Sequence, residues 1–131
     1  MKDKIRKRVY IAGAITPTNP EMNPVIEYGM NVKKFLDAAA ILMAHGFAPY
    51  VPALDFPLTT TDWFLDDDDF YETSLAFLDA CDVMYIIPGY EKSKGTLNEI
   101  EYALKRKKHI TIYNDLDTLI QGEKNEQNPA L

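Results

Sequence analysis

The segment Val83-Met84-Tyr85-Ile86-Ile87-Pro88 is an apolar run with no polar interruption, and it restricts the architecture more than any other feature. A strand with one wet face alternates apolar and polar residues, whereas an uninterrupted strand is covered on both faces, as in a parallel sheet sandwiched by helices. The rest of the chain supplies the partners for such a sheet. "RVYIAGAI" (Arg8 to Ile15) is a β-rich run ended by a loop-like segment from Pro17 to Pro24, and "FAPYVPAL" and "HITIY" read as further short strands.

Between these runs the period changes. Val32, Phe35, Leu36, Ala39, Leu42 and Met43 recur at helical spacing, with Gly46 at the stop position. Phe70, Leu75, Leu78 and Cys81 fit a second helix, with the acids Asp66 to Asp69 at its positive end. Asp55 to Trp63 has no clear period and reads as a longer loop, in which Trp63 is expected to anchor in the core, a base-stacking lid being the alternative. A short helix is expected at Asp115 to Ile120. The order β-α-β-α-β-α-β-α predicts one small doubly wound, Rossmann- or flavodoxin-like α/β domain, with a parallel sheet of four to five strands and helices on both faces. It occupies residues 1–131, with 1–7 and 122–131 as flexible tails. Ligands in such sheets sit beyond the strands' carboxyl ends, here after Ile15, Val51 and Pro88.

Composition narrows the function classes. The 131 residues are 47% apolar and 26% charged, as expected for a soluble globular domain rather than a membrane protein. The net charge of −6 leaves only the first eight residues and Lys105 to Lys108 as basic clusters, too little for polymeric nucleic acid. The single cysteine, Cys81, excludes an internal disulfide framework and reads as a buried small hydrophobe. The basic start and short apolar run do not make a signal peptide, so a reducing cytoplasm is the expected compartment. His45 and His109 lack ligand spacing, and consecutive acids diverge around a helix, so no metal site is expected.

"GYEKSKGTLNEIEYAL" (Gly89 to Leu104) offers two readings of one junction. In the first, Thr96 is an N-cap and Glu99 closes a T-x-x-E capping box. In the second, Ser93, Gly95 and the first helical N–H groups form an anion cradle, with Glu99 in the first turn kept ionised by the positive helix end. Leu97, Ile100, Ala103 and Leu104 would form the core face of that helix, and Glu101 would be solvated beside Lys105. In "VYIAGAIT", Gly13 permits close backbone approach by a ligand and Tyr10 offers a hydroxyl. The segment lacks the further glycines of a dinucleotide fingerprint.

Together, "VYIAGAIT" and "CDVMYIIPGYEKSKGTLNEIEYAL" resemble the nucleoside 2-deoxyribosyltransferase-like superfamily, including its small nucleotide N-glycosidases, and within it a short phage and bacterial branch. The S-x-G-x-x-x-E spacing of Ser93, Gly95 and Glu99 is the most specific part. The resemblance implies Glu99 as the nucleophile at C1′ of the sugar, Tyr10 as a catalytic-site contact to the sugar, and Ser93 and Gly95 as the 5′-phosphate cradle. Gly13, Ile15 and Ser74 complete the implied substrate contacts. Ser74 stands where the family commonly has an aspartate, whose acid work would pass to Asp79 or the Asp66 to Asp69 run, and Ile15 and Thr16 where nucleotide-cleaving members carry an arginine.

The expected function is therefore hydrolysis, or base exchange, of the N-glycosidic bond of a nucleoside or nucleoside 5′-monophosphate, without cofactor or metal. A carboxylate suits this chemistry because it stabilises and can trap an oxocarbenium-like centre. The alternative is a catalytically weak nucleotide-binding or sensor module. The resemblance also implies a homodimer or larger homo-oligomer.

Overall fold

The computed structural model of the chain describes residues 5–106 and 109–127. In chain order the elements are β1 (Arg8–Ala12), α1 (Pro24–Ala44), β2 (Ala48–Tyr50), a 3-10 helix (Pro52–Thr60) and α2 (Asp67–Ala80). They continue with β3 (Val83–Ile86), a short 3-10 turn (Tyr90–Lys92), α3 (Lys94–Lys105), β4 (Thr111–Tyr113) and α4 (Leu116–Gln127). The strands form one parallel sheet in the order β2-β1-β3-β4, so the doubly wound expectation holds with four strands. The chain leaves β1 toward β2 on one side and later enters β3 on the other. Connections diverge between these central strands, which opens a crevice at their carboxyl ends.

Strand side chains alternate between the two faces, and each face has its own core. Val9, Ile11, Val83, Tyr85 and Ile87 pack with Phe35, Ala38 and Leu42 of α1 and Leu119 and Ile120 of α4. Tyr10, Ala12, Met84 and Ile86 pack with Leu78 of α2 and Ala103 of α3. All four β3 residues are buried, as its unbroken apolar run demands. Tyr10 therefore points toward α2 and α3.

Local chemistry fixes the helix ends. Asn23 caps α1 by accepting from the N–H groups of Val25 and Ile26. Asp66 and Asp69 form a reciprocal capping box at the start of α2, so the acidic run there is helix-start charge as read. Cys81 is buried at the end of α2, and burial pushes its thiol up to about 11. Glu101 is exposed and pairs with Lys105 at 3.4 Å.

Three expectations are corrected. The segment read as an aperiodic loop from Asp55 is helical through Thr60, because proline-fixed φ angles at Pro52 and Pro57 suit a 3-10 helix that leaves no 3.6-residue signature. Trp63 is not a core anchor: it is 81% exposed and Phe64 89%, since their linker lies outside both core layers. The last helix does not stop at Ile120 but runs to Gln127. Glu123, expected in a flexible tail, is buried and accepts from Lys7 Nζ at 2.7 Å and the Tyr113 hydroxyl at 2.6 Å.

That ion pair also ties down Lys7, while the Arg6 guanidinium donates to the carbonyls of Met43 and Phe47. The remaining tail positions, 1–4 and 128–131, and two of the expected basic cluster, Lys107 and Lys108, lie outside the described residues. Among the described residues, no helix is long and apolar enough to cross a membrane.

Candidate functional site

The loop leaving β1 is held from α1. Glu27 accepts from the backbone N–H groups of Thr18 and Asn19, and Asn31 donates to the carbonyl of Ile15. Gly13 opens this loop, and its lack of a side chain answers to packing. A Cβ there would meet Ile87 Cβ at 3.0 Å and the Phe35 ring at 3.3 Å, so the protein interior, rather than a ligand alone, requires the glycine.

On the other side of the crevice, Gly89 turns the chain out of β3 with φ +94°, a conformation that favours glycine. The true N-cap of α3 is Ser93, whose hydroxyl accepts from the Thr96 N–H at 3.3 Å and lies 2.8 Å from Thr96 Oγ1. The T-x-x-E capping box is therefore overturned. With the helix beginning at Lys94, Glu99 falls in the second turn, beyond reach of the cap. The buried side of α3 is formed by Thr96 and Ala103, with Ile100 packed against the core, while Leu97 and Leu104 are 45% and 56% exposed. Two polar residues, Thr96 and Glu99, thus stand on a face read as apolar.

Between these walls lies a cavity of about 500 Å3. Gly13, Ile15, Ser74, Ser93, Gly95 and Glu99 all line it. The remaining residue of the expected set, Tyr10, has no solvent exposure and stands behind Glu99, donating its hydroxyl to Glu99 Oε2. Ser74 of α2 acts on the same hydroxyl, opposing the rise in its pKa. Tyr10 is thus placed to orient the carboxylate and to contact no ligand directly.

The electrostatics follow from burial. Desolvation pushes the Glu99 carboxyl up to about 7, the Tyr10 hydrogen bond opposes this, and the charge of Asp55 adds to the rise. The expectation of a fully ionised Glu99 at neutral pH is corrected accordingly, because burial outweighs the distant helix end. Burial, then the charge and hydrogen bond of Glu99, drive the Tyr10 phenol far above its usual range, so it remains a donor.

The cavity also holds residues that the sequence reading did not select. Asp55 and Asp67 line it, with Phe70 and Tyr71 of α2 beside them. Asp55 follows β2 at a strand end already marked as ligand-facing, which was the available signal. Asp67 belongs to the Asp66 to Asp69 run, read as helix-start charge and as one substitute for the missing family aspartate. Asp79, a candidate substitute for the missing aspartate, is engaged elsewhere, 2.8 Å from Arg106.

A second depression of about 430 Å3 adjoins the first and shares Ile15, Thr16, Ser93 and Gly95 with it. Lys92 and Lys94 line this part. A Cβ on Gly95 would meet nothing within 4 Å, so this glycine leaves open space over the start of α3. The two depressions together form an acid-lined chamber that passes into a basic recess at a helix N-terminus, a setting suited to a ligand with an anionic end.

No curated protein matches the chain. A family profile described as "Domain of unknown function (DUF4406)" matches residues 7–112, which runs from β1 into β4 and includes every cavity residue named above. The chain belongs to this DUF4406 family.

Proposed function

We propose that this protein cleaves the N-glycosidic bond of a nucleoside or nucleoside 5′-monophosphate, with Glu99 as the nucleophile. The observation that carries the reading is the Tyr10-to-Glu99 hydrogen bond at the wall of the cavity. It presents one carboxylate oxygen in a fixed orientation inside a chamber of ligand size. The resemblance to nucleoside 2-deoxyribosyltransferase-like proteins supports the same assignment.

In this reading a Glu99 oxygen bonds to C1′ as the C1′–N bond breaks and its electron pair leaves with the base. Water then displaces Glu99 to give the free sugar, or a second base does so in an exchange. The recess at Ser93 and Gly95, flanked by Lys92 and Lys94, receives the 5′-phosphate. Gly13, Ile15 and Ser74 shape the sugar and base side. The reaction needs no cofactor or metal, and a cytoplasmic homo-oligomer belongs to the same proposal.

One observation favours a second reading, a nucleotide-binding sensor with little turnover. Ser74, a neutral hydroxyl at the cavity wall, occupies the position where the similar proteins commonly carry an acid. Incubation with ribo- and deoxyribonucleosides and their 5′-monophosphates separates the two readings. Free base appearing on a chromatogram supports the glycosidase; calorimetric binding with no base released supports the sensor.

A further inference from the structure

The basic recess has two unlike walls. One is the start of α3 with Lys92 and Lys94; the other is the loop after β1, through Ile15, Thr16 and Thr18. That loop forms neither strand nor helix from Gly13 to Asn23, and Pro17 and Pro20 withhold two of its N–H groups. Its position therefore depends on side chains that reach it from elsewhere.

Two side chains of α1 do so. Glu27 accepts from the backbone N–H of Thr18 on Oε2 at 2.9 Å and from that of Asn19 on Oε1 at 3.0 Å, one donor on each carboxylate oxygen. Asn31, one turn further along the same helix face, donates from Nδ2 to the carbonyl of Ile15 at 3.1 Å. Segment 15–19 is thus gripped at both ends, and it is the part of the loop that walls the recess. Neither Glu27 nor Asn31 is among the described lining residues of the chamber or the recess, so both act through the loop. Thr18 and Asn19 are exposed, and water alone would satisfy their N–H groups. A carboxylate with a donor on each oxygen supplies something water does not, a fixed direction as well as a distance.

We infer that Glu27 and Asn31 are positioning residues that set the loop wall of the recess, and thereby the preference for a nucleoside 5′-monophosphate over the unphosphorylated nucleoside. The inference rests on the proposed placement of the 5′-phosphate in that recess. Released from α1, the loop no longer holds its distance from the start of α3, and the phosphate loses one side of its enclosure. The chamber keeps its walls from α2, α3 and the 3-10 helix, and the Tyr10-to-Glu99 hydrogen bond lies outside the loop. The loss therefore falls on binding of the phosphorylated substrate and spares the bond-breaking step.

The test measures kcat and KM for base release from one nucleoside and from its 5′-monophosphate, the pair being the one that the parent cleaves fastest. The parent is compared with Glu27→Ala, Glu27→Gln and Asn31→Ala. Glu27→Ala is expected to raise KM for the monophosphate by roughly 10-fold or more, with kcat and the KM for the nucleoside changed by no more than about twofold. Glu27→Gln keeps one accepting oxygen and should fall between the parent and Glu27→Ala, and Asn31→Ala should act in the same direction. Retained cleavage of the nucleoside shows that each variant is folded.

A parent-like KM for the monophosphate in Glu27→Ala would overturn the positioning role and leave the glycosidase standing. Equal losses on both substrates would overturn it as well, since a merely structural contribution does not distinguish them. A parent that releases base from neither substrate would overturn the glycosidase reading itself. Calorimetric affinity then reads the same split. Glu27→Ala binding the monophosphate as tightly as the parent, or a parent binding it no more tightly than the nucleoside, would overturn the positioning role in that case.

Discussion

The Tyr10 hydroxyl, on a central strand, donates to Glu99 Oε2 in the second turn of α3, across 89 positions of sequence. Tyr10 is fully buried, and Ser74 of α2 opposes the rise in its pKa. Strand β1 and helix α3 are thereby joined at one polar point inside an otherwise apolar layer.

Removing that donor with Tyr10→Phe keeps the ring's shape and takes away a hydrogen bond to a charged group. Base release should fall roughly 10- to 100-fold, and stability should fall by about 1–3 kcal/mol because a buried carboxyl loses its donor. The Glu99 carboxyl should move further upward, since Tyr10 holds it down. The acid limb of the pH–rate profile should therefore shift to higher pH. An unchanged profile would show that the hydrogen bond does not act on the reacting carboxylate.

Stability should depend on pH through Glu99. Its folded value of about 7 lies above the ordinary 4.5 because burial disfavours the charge. The folded protein thus holds a proton that the unfolded chain has lost over this interval. That contribution is complete below 4.5 and disappears as pH rises through about 7. Glu99→Gln removes the penalty, so it should stabilise the protein at pH 8, by about 3 kcal/mol, relative to its effect at acid pH. Urea unfolding of both proteins at the two pH values reads this difference.

The two glycines of the cavity should behave oppositely. Gly13→Ala places a methyl 3.0 Å from Ile87 Cβ and should cost about 1–3 kcal/mol in thermal or urea unfolding. Gly95→Ala meets nothing and, in a helix, should leave stability equal or higher by up to about 1 kcal/mol. Its methyl nevertheless projects over the recess, so nucleotide binding by calorimetry should weaken.

At the opposite end of the sheet, Lys7→Ala would strand the Glu123 carboxylate, which keeps only the Tyr113 hydroxyl among the partners described above. The loss should be about 3–5 kcal/mol if the pair is fully desolvated. Because Lys7 is 21% exposed at its side chain, water relieves part of that cost and the lower end is expected. Lys7→Ala combined with Glu123→Leu should recover much of it.

The legible parts of this protein were those written in local pattern. The unbroken run at β3 announced two covered faces, and Asp66 to Asp69 announced a helix start. Gly13, Ser93, Gly95 and Glu99 were legible because they lie near strand ends where such sheets bind ligands, whereas Ile15 and Ser74 came from the family resemblance alone. What local pattern did not carry was pairing at a distance. Glu99 had a local explanation in Thr96, and only the three-dimensional structure reveals that Ser93 is the cap and Tyr10 the partner. Asp55 was hidden in a segment whose 3-10 geometry has no apolar period. Glu123 stayed buried beyond the last apolar repeat because Lys7 holds it there, and no helical wheel contains that residue. Trp63 misled because a large aromatic is more often buried than exposed.

The central claim is that Glu99 is the nucleophile and more than a structural carboxylate. The most direct measurement is the rate of free-base release from nucleoside 5′-monophosphates by the parent and by Glu99→Gln, with the fold of each followed by circular dichroism. Release by the parent, and none by an equally folded Glu99→Gln protein, is the predicted result. A Glu99→Gln protein that releases base as fast as the parent would contradict it.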